Sequence, residues 1–188
     1  GMGASIALAE SGANVTLVSR TEGELKDLTD HINNQGYKAS YKVLDVNNED
    51  AVSDFINDNE PFDILINNAG TNRPAKLIDT NIEDFDYVMS LNVRSVISLT
   101  KLVVKKMLDN KLKGSIINVS SQMGHVGGPN RTTYCSSKFA IEGFTKSLAI
   151  ELGPEGIRVN AVCPTFIQTP MTEPFLKDED FKKATIGM

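Results

Sequence analysis

Cysteine and histidine are scarce in this chain of 188 residues: the only cysteines are Cys135 and Cys163, and the only histidines are His31 and His125. Two thiols make no disulfide framework and suit a reducing compartment, so a cytoplasmic location is expected. Neither cysteine has metal-ligand spacing, and no metal site is expected. Positive charge is also short. Nineteen Lys and Arg face 24 Asp and Glu, giving a net charge of −5 and a pI near 5.1. That balance argues against a nucleic-acid surface. No apolar run is long enough to span a bilayer. The opening Gly-Met-Gly runs into an amphipathic helix, which is not the pattern of a signal peptide. Internal repeats, low-complexity tracts and linkers are missing too, so the length is read as one domain with a real core.

What is present centres on Ser115 to Lys138. Ser115-Ile116-Ile117-Asn118-Val119 reads as a buried parallel strand. Ser120 and Ser121 stand at its end. Gly124, Gly127, Gly128 and Pro129 then punctuate a loop. Tyr134 to Gly153 reads as a helix, so Tyr134 and Lys138 share one face. Open α/β sheets bind ligands at the carboxyl ends of their strands, where Ser121, Tyr134 and Lys138 could meet. A tyrosine hydroxyl titrates near pH ~10, too high for proton transfer at neutrality. An ammonium beside it favours the phenolate, and a serine hydroxyl can share charge on a substrate oxygen. The three groups together could move a proton at an alcohol oxygen while a hydride moves at its carbon. The plainer alternative is a helix with one buried aromatic and one exposed lysine. Cys135, between the two, reads as a small buried packing residue.

The rest of the chain alternates strands and helices. Gly1, Met2 and Gly3 precede a helix ending at Gly12, a pattern that suits a phosphate on N-terminal amides. Asn14 to Ser19 is a strand whose end selects a cofactor. An acidic residue there would bind a ribose 2′-hydroxyl, whereas Arg20 after Ser19 can pair with a 2′-phosphate, giving NADP(H) over NAD(H). Thr21 and Glu24 form a capping box for a helix to about Gln35, with Leu25, Leu28 and Ile32 inward and His31 outward. Ala39 to Asp45 is a strand, and Asn48 to Asn57 a helix. Phe62 to Ile66 is a buried strand running into Asn67-Asn68-Ala69-Gly70, whose small residues permit close approach of a ligand. Thr71 to Leu77 is a loop lining the substrate cleft. Ile82 to Asp109 is a long helix with an apolar stripe and a polar interruption at Asn92. Ile157 to Val162 is a last strand, leading through Pro164 and Thr165 to Ile167 and Thr169. Thr172 to Lys183 reads as a charged helix and a mobile lid.

These motifs, in this order, resemble the short-chain dehydrogenase/reductase family over essentially the whole chain. The resemblance implies an α/β Rossmann-like fold, a doubly wound parallel sheet in three layers. It implies a single NAD(P)-binding domain over residues 1–188, lacking the first and last strands. The absent first strand would leave a gap in the sheet with unpaired backbone groups, so the isolated chain is not expected to fold stably. The catalytic set it implies is Asn92, Ser121, Tyr134 and Lys138, with the Asn92 side chain bending its helix and holding a relay water. Gly1, Met2, Gly3, Ser19, Arg20, Asp45, Val46, Asn68, Ala69 and Gly70 would bind cofactor, with Tyr134, Lys138, Pro164, Thr165, Ile167 and Thr169. The family's usual Pro-Gly corner is Pro164-Thr165 here. The long helix would serve a subunit interface, giving a homotetramer or dimer.

For the substrate, Gln122, Met123, His125 and Arg73 are the expected contacts. Carrier-protein ketoreductases of the same pattern use arginines where this chain has Leu112 and Glu155. That difference, with the acidic balance, disfavours an acidic carrier and favours a small polyol, sugar or sugar acid. The alternatives are a 3-oxoacyl-[acyl-carrier-protein] reductase and a non-catalytic NADP(H)-binding redox sensor.

Overall fold

The computed structural model describes residues 1–167 together with Glu173 and Lys177. Thr169 and most of the expected lid helix, Thr172 to Lys183, therefore lie outside the described residues. Helix α1, Met2–Glu10, comes first, followed by strand β1, Val15–Ser19, helix α2, Glu22–Asn34, and strand β2, Ala39–Val43. Helix α3, Glu49–Asp58, leads to strand β3, Ile64–Asn67. A long helical segment follows as α4, Ile82–Met89, and α5, Ser95–Asp109. Strand β4, Ser115–Val119, helix α6, Thr132–Leu152, and strand β5, Arg158–Val162, complete the order.

Every paired strand is parallel, because each crossover carries a helix that returns the chain to the same edge. β1 pairs with β2 from Val15 opposite Ala39 to Ser19 opposite Val43. The other three run in the order β3-β4-β5, with Asn67 opposite Asn118 and Val119 opposite Val162. The two groups of strands are not hydrogen-bonded to each other. Residues of β1 and β3 line one cavity of about 1320 Å³, which divides the sheet where the resemblance implies a first strand.

Apolar side chains set the packing. Val52 and Ile56 of α3, Val103 and Met107 of α5, Ile116 of β4 and Val159 of β5 form one buried cluster. Burying each such side chain contributes about 1.5–3 kcal/mol relative to exposure. The strand face is pinned by a polar chain as well. Asn67 Nδ2 donates to Asn118 Oδ1 at 2.8 Å and to Thr100 Oγ1 at 2.9 Å, and Asn118 Nδ2 donates to Thr145 Oγ1 at 2.9 Å. All four residues are buried, so these bonds satisfy groups that water cannot reach.

Several expectations change at this level. Helix α1 buries only Ala9, so it has no broad core-facing stripe. Thr21 caps α2 without a side-chain hydrogen bond; its own amide instead donates to Ser19 Oγ at 3.1 Å. Asn48 caps α3 by accepting from the Ala51 amide at 3.1 Å. The segment from Ile82 to Asp109 is one helix by length, and an 18-residue window of it has mean hydropathy 1.2, enough to match a membrane span by those measures alone. Val88, Leu91, Val96, Val103 and Met107 of it are buried in the protein, as in a core helix. Between α4 and α5 lies a π-turn, Ser90–Arg94, centred on Asn92. Such turns mark an inserted residue and often a functional position.

Candidate active site

The carboxyl end of β4 carries the site because the chain there stops pairing and turns. The Ser120 amide still donates to Val162 O at 2.8 Å, and the Gln122 amide donates to Pro164 O at 3.0 Å. These two bonds hold Ser121 between β4 and the end of β5. Ser121 caps a short turn, Gln122–Gly124, with its Oγ accepting from the Met123 amide at 3.2 Å. The same hydroxyl lies beside the Tyr134 side chain and, against the larger effect of burial, favours the ionised phenol. Lys138, one turn along α6 from Tyr134, has its Nζ 5.6 Å from the centre of the tyrosine ring. Ser121, Tyr134 and Lys138 thus meet at the end of one strand.

The electrostatics differ from the sequence expectation. Burial raises the Tyr134 pKa above its ordinary value, and this outweighs the opposing effects of Ser121 and the nearby Arg131 charge. Lys138 lies over the ring, and its Nζ donates to Val119 O at 2.9 Å. Burial brings the pKa of Lys138 itself down to about 8. Lys138 is only 6% exposed, so its ammonium is held out of water with one carbonyl as its hydrogen-bond partner.

That shift has a measurable consequence. Between about pH 8 and 10.5 the unfolded chain holds the Lys138 proton and the folded one has lost it. Stability therefore rises with pH across this window. Relative to Lys138→Met, the wild type is expected to gain up to about 3 kcal/mol from pH 8 to 10.5 in chemical denaturation. A difference that stays flat with pH would contradict the buried charge.

Asn92 is buried at 1% exposure. Its Oδ1 accepts from the Thr71 amide at 2.8 Å, and its Nδ2 donates to Thr71 O at 2.9 Å and Ser137 Oγ at 3.0 Å. Both amide hydrogens have protein partners, and the oxygen accepts one bond. The side chain therefore braces the loop after β3 against α6, and its oxygen keeps a second lone pair. Ser137 and Thr71 are the brace partners that the sequence does not single out.

Gly70 lies next to this brace. A Cβ there would stand 3.3 Å from Asn92 Oδ1 and 3.8 Å from Lys138 Nζ, so a bare backbone floors the cleft beside the lysine. The 1320 Å³ cavity reaches this floor and brings together Gly1, Met2, Ser19 and Arg20 with Asp45, Val46, Asn68, Ala69 and Gly70. Gly3, Tyr134, Lys138, Pro164, Thr165 and Ile167 are not among its walls. Arg20 Nη1 is 3.9 Å from Asp45 Oδ2, a loose pair with both side chains substantially exposed. The guanidinium thus remains available to a phosphate at the strand end. The bare glycine floor and the arginine, both on the walls of this cavity, fit a nicotinamide dinucleotide.

The expected substrate contacts divide. Gln122 and Met123 lie in the turn after Ser121, and the Met123 thioether packs against Gly128. His125 turns its Nε2 toward Glu142 Oε2 at 3.6 Å. Arg73 pairs with Asp84 at 3.5 Å and lies 5.3 Å over the Tyr87 ring, so the structure ties it to α4. Cys135 is half-buried rather than buried, because its position on α6 faces the loop at Val126.

Parallel strands with flanking helices, and a hydroxyl, a phenol and an ammonium at their carboxyl ends, define a Rossmann-like α/β oxidoreductase. The chain belongs to the short chain dehydrogenase family, whose profile matches residues 1–180. It is 39% identical over 184 residues to a cyclopentanol dehydrogenase of Comamonas sp. (strain NCIMB 9872), covering 96% of this chain and 73% of that protein. It is 37% identical over 177 residues to a 3-oxoacyl-[acyl-carrier-protein] reductase of Thermotoga maritima, covering 92% and 72%. Among solved structures, a gluconate 5-dehydrogenase from Burkholderia cenocepacia J2315 in complex with NADP and tartrate superposes with a TM-score of 0.91. That match is 28% identical and covers 98% of this chain and 74% of the other. The chain is thus an oxidoreductase acting on CH–OH groups.

Proposed function

We propose that this chain is one NADP(H)-binding unit that interconverts a secondary alcohol and a ketone on a small polyol, sugar or sugar acid. The observation that carries the reading is the meeting of Ser121, Tyr134 and Lys138 at the carboxyl end of β4. In the reduction direction Tyr134 gives its proton to the carbonyl oxygen as that oxygen gains charge. Ser121 donates to the same oxygen and holds the phenol in line. Lys138 lies over the ring with its Nζ 5.6 Å from the ring centre, and Asn92 positions the loop that carries Gly70. Bound NADP(H) supplies or accepts the hydride. Gly1, Met2 and Gly3 with Ser19, Arg20, Asp45 and Val46 would hold its adenosine and phosphate end. Asn68, Ala69, Gly70, Lys138 and the segment Pro164, Thr165, Ile167 and Thr169 would hold the nicotinamide end.

Arg20 supports the 2′-phosphate preference, because its pairing with the Asp45 carboxylate, at 3.9 Å, is loose and exposed. Arg20→Ala is expected to raise KM for NADPH about 10–100-fold, from the loss of a charge-assisted hydrogen bond, and to leave KM for NADH nearly unchanged. Equal effects on both cofactors would remove Arg20 from this role.

For the substrate, Leu112 packs on the core and Glu155 is exposed and acidic, so neither offers a grip for an acidic carrier. Gln122 and Met123 stand next to Ser121 and are placed to meet a small hydroxylated substrate. Full-length protein incubated with NADPH and a carbonyl panel tests the reading. Steady NADPH oxidation with small ketoses or keto acids supports it. Oxidation only with acyl-carrier thioesters favours the ketoreductase, and none at all favours a redox sensor. The outward apolar side chains Phe85 and Ile97 of the long helix and Phe139 and Ile150 of α6 support a dimer or tetramer through these helices.

A further inference from the structure

A second cluster of reactive side chains lies behind the Ser121 turn. We propose that His125, Glu142 and Cys163 form a binding site for a divalent cation of Zn2+ type, with three protein ligands and one open position. The three residues come from separate elements: His125 from the end of the turn after β4, Glu142 from the middle of α6, and Cys163 from the residue after β5. Their spacing along the sequence gives no motif, which is why the sequence predicts no metal. In the fold their ligand atoms all lie within 4.8 Å of one another. Cys163 Sγ stands 3.1 Å from Glu142 Oε1, and His125 Nε2 stands 3.6 Å from Glu142 Oε2.

The donor set matches the ion. Thiolate, imidazole and carboxylate are the three side-chain ligands of Zn2+, whose bond lengths place tetrahedral ligand atoms about 3.4–3.6 Å apart. The His125 side chain is 51% exposed and can turn inward, whereas the Glu142 side chain is only 9% exposed. A second observation points to a ligand here. Ser120 Oγ is buried without a hydrogen-bond partner of normal geometry. It nevertheless lies beside both the Glu142 carboxylate and the Cys163 thiol. A water or anion at the open metal position would give that hydroxyl a partner. Gly124 closes the wall, since a Cβ there would come within 2.9 Å of Glu142 Cγ and of Ser120 Oγ.

Binding exchanges the Cys163 S–H bond for an S–Zn bond and releases the proton to buffer, with no change in oxidation state. An ion so held would tie the turn after Ser121 to α6 and to the end of β5.

The test uses chelator-treated full-length protein titrated with Co2+ as a spectroscopic stand-in and then with Zn2+. The expected result is a thiolate-to-cobalt charge-transfer band that saturates at one equivalent and is bleached by one equivalent of Zn2+. Cys163→Ser removes the band and Cys135→Ser keeps it. His125→Ala, at a half-exposed position, weakens Zn2+ binding about 10–100-fold, no less than the loss of a metal site's supporting partner. A folded wild type with no band, or a band lost in Cys135→Ser and kept in Cys163→Ser, would overturn the proposal.

Discussion

Replacing Tyr134 by phenylalanine is expected to lower kcat about 10²–10⁴-fold, the range for losing a positioned proton donor. Affinity for NADPH, read by cofactor fluorescence, is expected to stay close to wild type, because the ring still fills its place on α6. The size of the effect follows from what the phenol does. Burial keeps its proton on at neutral pH, against the pull of Ser121 and Arg131. That is the state a proton donor needs while a ketone is reduced. The reverse reaction needs the phenolate, so alcohol oxidation is expected to accelerate as pH rises. Turnover near wild type in Tyr134→Phe would show that the proton comes from elsewhere.

Ser121→Ala ranks second, with an expected loss of about 10²–10³-fold in kcat, as when one donor to a developing oxyanion is removed. Its hydroxyl does two things in the proposed reaction: it stands beside the Tyr134 phenol and it donates to the substrate oxygen. Its position does not depend on the side chain alone, because the Ser120 and Gln122 amides pin the backbone to Val162 and Pro164. The alanine variant should therefore fold as the wild type does, and its KM should change less than its kcat. A large rise in KM with kcat intact would recast Ser121 as a binding residue only.

Much of the fold was legible because its signals are local. Apolar β-branched runs at Ser115–Val119 and Val15–Ser19 became parallel strands, and the Tyr134–Lys138 spacing placed both residues over one turn of α6. What depended on three-dimensional packing was not legible. The π-turn at Ser90–Arg94 arises where the buried Asn92 amide reaches across to Thr71 and Ser137, partners 21 and 45 residues away. No periodicity in the helix announces that insertion. The second partner of Lys138 is hidden for a similar reason. Sequence places the ammonium one turn away, but only coordinates show it donating to Val119 O. His125 likewise reads as a loop residue facing substrate until α6 is seen to present Glu142 behind it.

The most direct measurement of the central claim is kcat for the double variant Ser121→Ala, Tyr134→Phe beside the two single variants. If both hydroxyls act on one substrate oxygen as a unit, the double variant loses little more than Tyr134→Phe alone. Losses that multiply in full would mean that the two groups work independently, and the proton-transfer unit at the end of β4 would not exist.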